Sequence, residues 1–196
     1  MIKAGLVNVQ KLNSAIKVDL KYSGLDNFSG KDLYGCLENA YLAPSVAKML
    51  NRASAILKAQ RPDLFLLIYD AARPFSIQQV LWDNMPKPEG QKHIYLARPS
   101  RGSIHNYGAA VDLTICDKNG IPLDMGTPFD FFGRKAQPRL ERERVRKGEL
   151  SQAQFKNRLL LRKVMVEAGF STVTSEWWHF NACSLKKAKA TLPRVP

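Results

Sequence analysis

Two short stretches hold most of the groups able to do chemistry. Ser103-Ile104-His105-Asn106-Tyr107-Gly108-Ala109-Ala110-Val111-Asp112-Leu113-Thr114 carries a histidine and, seven residues later, an aspartate inside an apolar run. Glu176-Trp177-Trp178-His179 carries a second carboxylate–imidazole pair. Histidine occurs only three times in the chain, so two of the three fall in these stretches. Two histidines and one carboxylate around an open position form a catalytic zinc set. A further carboxylate near that position can act as a base toward bound water. Asp112 is assigned as the ligand, because a strand wall holds a fixed donor. Glu176 is assigned as the base, because it shares a short segment with His179. Spacing alone leaves the plainer alternative open, a loop histidine at 105 and a half-buried one at 179. The H-x6-D pattern is weak and the chain has no H-E-x-x-H helix.

These groups need elements to position them. Residues 109–115 read as a strand, with Val111, Leu113 and Ile115 on a core face and Ala110, Asp112 and Thr114 on a small polar face. His105 and Asp112 converge only if the chain bends between them, and Asn106-Tyr107-Gly108 offers the bend. Leu64 to Tyr69 reads as a buried strand ending on Asp70-Ala71-Ala72-Arg73-Pro74. A charged pair at the mouth of a strand either stabilises an oxyanion through Arg73 or simply holds the turn.

Pro44 opens a helix to about Gln60, with Val46, Met49, Leu50, Ala53, Ile56 and Leu57 on one stripe. Further helices are expected over 74–83 and, after the Ser151–Gln154 capping box, over 151–168, with Gly169 ending the latter. Phe170 to Phe180 is expected as one strand. Residues 6–22 suggest short strands or an extended arm, with Tyr22 free to pack or to reach a pocket. Residues 83–102 read as a loop with His93 on the surface. In the loop from Gly120 to Asp130, Asp124 and Asp130 are candidates for binding an ammonium group, Asp124 more as a turn cap. Phe131 and Phe132 are expected to pack, and the basic tail at about 186–196 is expected to fray.

Composition sets the bounds. One domain is the default at 196 residues. No apolar run is long enough for a membrane span. The first ten residues lack the regions of a secretory signal, which leaves a cytoplasmic or a periplasmic place open. Cys36, Cys116 and Cys183 are odd in number and contain no C-x-x-C, so buried free thiols are expected. A net charge of +13, concentrated between Arg134 and Lys163, would suit nucleic acid. Few aromatics interleave it, and Glu141-Arg142-Glu143-Arg144 alternates like a solvated helix face. No nucleic-acid partner is therefore expected.

The ordered set Tyr69-Asp70-Ala71-Ala72-Arg73-Pro74, Ser103-Ile104-His105 with Gly108 and Asp112, Asp124-Met125-Gly126-Thr127 with Phe129-Asp130, and Glu176-Trp177-Trp178-His179-Phe180 resembles the D-alanyl-D-alanine dipeptidases of the VanX type. Asp19-Leu20-Lys21-Tyr22 and Asp26-Asn27-Phe28-Ser29-Gly30 extend the likeness, which spans roughly residues 18 to 181. The resemblance implies a bacterial zinc dipeptidase related to the D,D-carboxypeptidases and the hedgehog domain. The implied fold is a single α+β domain, with a mainly antiparallel sheet flanked by helices and a basic helical insertion at about 134–149. By similarity, His105, Asp112 and His179 hold one Zn²⁺, Glu176 is the catalytic base and Arg73 stabilises the transition state. Ser103, Asp130, Tyr22 and Asp70 match substrate-binding positions, with Asp130 facing the ammonium group of D-Ala-D-Ala. The sequence departs from the resistance enzymes at Asn106-Tyr107 and Ala72. Two alternatives stay open: a D,D-carboxypeptidase acting on longer peptidoglycan peptides, and a zinc-containing binding module without activity.

Overall fold

The computed structural model describes residues 1–196. In chain order its elements are β1 (Val7–Asn8), α1 (Val9–Leu12), β2 (Lys17–Val18), β3 (Tyr41–Leu42), α2 (Pro44–Gln60), β4 (Phe65–Asp70), α3 (Phe75–Asn84), α4 (Glu89–Lys92), β5 (Ala110–Cys116), α5 (Glu141–Arg146), α6 (Gln152–Glu167), β6 (Ser171–Thr172), β7 (His179–Asn181) and α7 (Leu185–Thr191). Five strands form one sheet in the order β2-β4-β5-β7-β6, and β1 pairs separately with β3. Only β2 and β4 run parallel; the other pairs in the large sheet are antiparallel. This is the mixed α+β arrangement expected. No helix is long and apolar enough to cross a membrane.

Alternation along the two central strands separates their faces. Leu66, Ile68, Val111, Leu113 and Ile115 enter the main apolar cluster, while Leu67, Tyr69 and Cys116 form a smaller one on the opposite face. All seven residues of β5 are nevertheless buried, because the loop carrying Phe129 covers its polar face. Helix α2 starts at Pro44 as expected and buries Val46, Ala47, Leu50, Ala53 and Leu57 against the sheet and α6. Each fully buried leucine in that stripe contributes about 1.5–3 kcal/mol. Helix α6 begins on the Ser151–Gln154 capping box, and Gly169 takes the left-handed conformation beyond its end.

Four expectations are corrected. Phe170 to Phe180 is not one strand. After Ser171–Thr172 the chain leaves the sheet and returns only at His179, since Trp177 and Trp178 bury their rings by packing edge-on to each other rather than alternating across a strand. The C-terminal tail is not frayed. Residues 185–191 form α7, and Val195 is 1% exposed, with its N–H donated to the Asn106 carbonyl and its own carbonyl accepting from Phe75 N–H. Ala188 and Val195 both enter the main apolar cluster, with Leu185 packed against it. Of the three free thiols, Cys116 is buried, Cys183 half-buried and Cys36 exposed, because Cys36 sits in a loop outside the sheet. Phe131 also lies largely at the surface, whereas Phe132 packs on Phe28 and Tyr95.

Candidate metal centre and active site

Sheet register does the first part of the assembly. Asp112 on β5 lies directly opposite His179 on β7, and opposite Asp70 on β4 after a register shift between Ile68 and Asp70. Side chains paired this way stand roughly 5 Å apart at Cβ, within reach of one ion. His105 comes from a single 3-10 turn, Ile104–Tyr107, which Ser103 and Asn106 cap reciprocally. Gly108 ends that turn at φ 60. A Cβ there would lie 2.9 Å from Leu6 and 3.0 Å from the Ala43 backbone nitrogen, so glycine is required both for the conformation and for the close approach. The bend expected at residues 106–108 is this turn. The odd spacing of Glu176 and His179 poses no geometric problem, because Glu176 precedes the strand.

Three donor atoms converge. His179 Nδ1 is 2.9 Å from Asp112 Oδ1, His105 Nε2 is 3.4 Å from Asp112 Oδ2, and the two imidazole nitrogens are 3.2 Å apart. Their outer hydrogen bonds fix the protons elsewhere. His105 Nδ1 donates to the Ala71 carbonyl at 2.7 Å, and His179 Nε2 donates to Asn181 Oδ1 at 2.9 Å. With a proton on its outer nitrogen, each ring can turn the inner nitrogen to a metal ion. Burial opposes the charge on Asp112, but His105 and His179 hold its carboxyl well below the usual range. Burial lowers the His105 imidazole, but Asp112 outweighs it, for a net rise. Tetrahedral zinc with bonds of about 2.0–2.2 Å needs donor separations of about 3.3–3.6 Å, close to the 3.2 Å between the two imidazole nitrogens. Residues 105, 112 and 179 could thus hold one metal ion.

The donors open on a cavity of about 410 Å³ that also meets Tyr22, Arg73, Ser103, Asp130 and Glu176. Glu176 is 9% exposed, and burial pushes its carboxyl up to about 8. Arg73 is 4% exposed and locked from behind: Nε and Nη2 donate to Asp70 Oδ2 at 3.1 and 2.7 Å, and Nη1 donates to Gln78 at 3.2 Å. Burial works against its charge, but Asp70, then Tyr34 and Tyr22, outweigh burial and keep the guanidinium protonated. Asp130 stands at φ 57 and accepts the Tyr22 hydroxyl at 2.9 Å. Its carboxyl points inward, and withdrawal from water raises it well above the usual range.

One expected residue sits elsewhere, and the favoured reading of Asp124 holds. Asp70 is fully buried behind Arg73, not on the cavity wall, and spends its second oxygen on the Tyr34 hydroxyl and the Ala71 N–H. Asp124 accepts the Gly126 N–H and the Gln154 amide, so it caps a turn. His93 is exposed, as read, at the mouth of the cavity. Tyr34, Gln78 and Asn181 were missed. Asn181 had a signal, lying two residues from His179 on the same strand face; the other two had none.

A buried carboxylate and a fixed guanidinium facing a three-donor metal set can activate water and stabilise an oxyanion, which is the equipment of a metal-dependent hydrolase. Comparison with known proteins agrees with that class. The peptidase M15 family model, described as D-ala-D-ala dipeptidase, matches residues 2–192. A D-alanyl-D-alanine dipeptidase of Escherichia coli (strain K12) is 36% identical over 178 residues, 89% of this chain and 83% of that protein. One from Synechocystis is 31% identical, covering 71% and 68%, and one from Enterococcus faecalis is 27% identical, covering 90% of each. The chain belongs to the peptidase M15 family of D-ala-D-ala dipeptidases.

Proposed function

We propose that the chain hydrolyses the dipeptide D-Ala-D-Ala, with one Zn²⁺ held by His105, Asp112 and His179. The observation that carries this reading is the convergence of the His105 and His179 ring nitrogens and the Asp112 carboxylate, with contacts of 2.9–3.4 Å, on the same cavity as Glu176 and Arg73. When bound, the ion would supply Lewis acidity, enough to lower the pKa of a water to about 7. Glu176 takes the proton of the attacking water and passes it to the departing amine as the C–N bond breaks. Arg73, unable to swing away from Asp70 and Gln78, holds its positive charge where the carbonyl oxygen becomes negative. Ser103, on the cavity wall, contacts the substrate.

Asp130 selects the amino end. Apart from the Tyr22 hydroxyl, no hydrogen-bond donor meets its carboxylate, so an incoming ammonium group would satisfy a half-buried acid. That favours a free dipeptide over a longer peptide, which has no ammonium group beside the scissile bond. A binding module without activity would need neither a buried Glu176 nor a locked Arg73 to hold its metal.

Release of free alanine by zinc-loaded protein tests the reading, using D-Ala-D-Ala, N-acetyl-D-Ala-D-Ala and L-Ala-L-Ala. Only the first should turn over well. Glu176→Ala should lower the rate at least ~10²-fold with zinc content unchanged. Faster cleavage of the acetylated peptide would instead assign a D,D-carboxypeptidase, and full activity in Glu176→Ala would place the base elsewhere.

A further inference from the structure

The basic stretch 134–149 takes no part in the site described above, yet one of its acids leads back to it. Glu141 is 1% exposed, the one fully buried residue of α5. It accepts Arg162 Nη2 on both oxygens at 2.7 and 2.8 Å and lies 3.5 Å from Arg158 Nη1. Arg158 is also 1% exposed. Its Nε donates to the Met125 carbonyl at 2.6 Å, Nη1 to the Lys135 carbonyl at 3.0 Å and Nη2 to the Thr127 hydroxyl at 3.4 Å. The same hydroxyl accepts the Trp177 indole N–H at 2.8 Å, and the guanidinium stands 5.6 Å from the Trp177 ring.

Arg158 therefore joins two segments that have no ladder of their own. One runs from Asp124 to Asp130; the other, residues 173–178, carries Glu176. Asp130 holds a left-handed backbone at φ 57, a conformation that costs a non-glycine residue about 1 kcal/mol or more and persists only when its surroundings impose it. Phe129, next to it, packs edge-on to Tyr22 and to Trp178. Stability does not account for the arginine, since a buried ion pair can commonly be replaced by apolar packing at no loss. What apolar packing lacks is direction. A rigid fork of N–H donors fixes the angle and distance of each carbonyl it holds.

We propose that Arg158, clamped by Glu141, is a positioning residue that sets Asp130 and Glu176 relative to each other across the cavity. The basic insertion is then the outer brace of the active site. This inference rests on the dipeptidase reading for its kinetic consequence, but not for its structural one.

The test uses the full-length, zinc-loaded protein with Arg158→Lys and Thr127→Val, read by hydrogen exchange and by kinetics. Arg158→Lys should speed amide exchange about 10-fold in both 124–130 and 173–178, leaving β5 and α2 protected. It should lower kcat about 10-fold and raise KM severalfold on D-Ala-D-Ala at unchanged zinc content. Thr127→Val, which removes only the shared hydroxyl, should give the same pattern more weakly, and decides the matter if Arg158→Lys does not fold. Loosening of one segment without the other overturns the proposal. So does a lowered melting temperature with kcat and KM per folded molecule unchanged. An inactive wild type would sink the dipeptidase reading while the exchange result still judged the brace.

Discussion

Glu176→Gln in the metal-free protein isolates the cost of keeping a carboxylate in the cavity. Burial raises the Glu176 carboxyl from 4.5 to about 8, with Asp112 and Asp130 adding to the rise and His179 and Arg73 opposing it. A raised folded-state value means that stability is fully present below about pH 4.5 and is lost as pH rises through about 8. At pH 7 the unfolded chain has shed this proton almost completely and the folded chain hardly at all. The difference is about 2.5 units, worth on the order of 3 kcal/mol at 1.36 kcal/mol per unit. Glutamine keeps the shape and never ionises. Urea unfolding of zinc-stripped wild type and Glu176→Gln should therefore give nearly equal stabilities near pH 4.5. The variant should lead by on the order of 3 kcal/mol at pH 7 and by more at pH 9. Zinc, which favours the ionised carboxylate, should narrow the gap, while the variant loses turnover. A gap that is absent, or constant with pH, would refute the claim that burial holds this proton.

Two further outcomes follow from the same cavity walls. Asp70→Ala should destabilise the protein by about 3–5 kcal/mol, measured by denaturant unfolding, because it strands the Arg73 guanidinium, 4% exposed, without its 2.7 Å partner; a loss under about 1 kcal/mol would show that Gln78 and water suffice. With a thiol reagent at pH 8, Cys36 should react fast and Cys183 slowly, while Cys116, buried and pushed up to about 11, should wait for unfolding, so three fast thiols would mean that the end of β5 opens.

The parts legible in the sequence are those that repeat a local rule. The α2 stripe, the β5 alternation, the capping box at Ser151 and the bend at Gly108 each follow from a few neighbouring residues, and all stand where expected. The metal-site residues were nameable because chemistry restricts them to a handful of types. What could not be read was their support. Tyr34, Gln78 and Arg158 are ordinary residues in ordinary surroundings until the fold brings Asp70, Arg73 and Thr127 to them from 36, 5 and 31 positions away. The segment 170–180 failed for a related reason. Its apolar pattern suits a strand, but two adjacent indoles cannot both face one core from a pleated ribbon, and a buried Glu176 between them and the sheet needs a loop to aim it. Alternation predicts which face a side chain takes only where the backbone is extended. At this site the chain gives up extension after Thr172 and resumes it at His179, so the proposed base Glu176 and the proposed ligand His179 obey different geometries three residues apart.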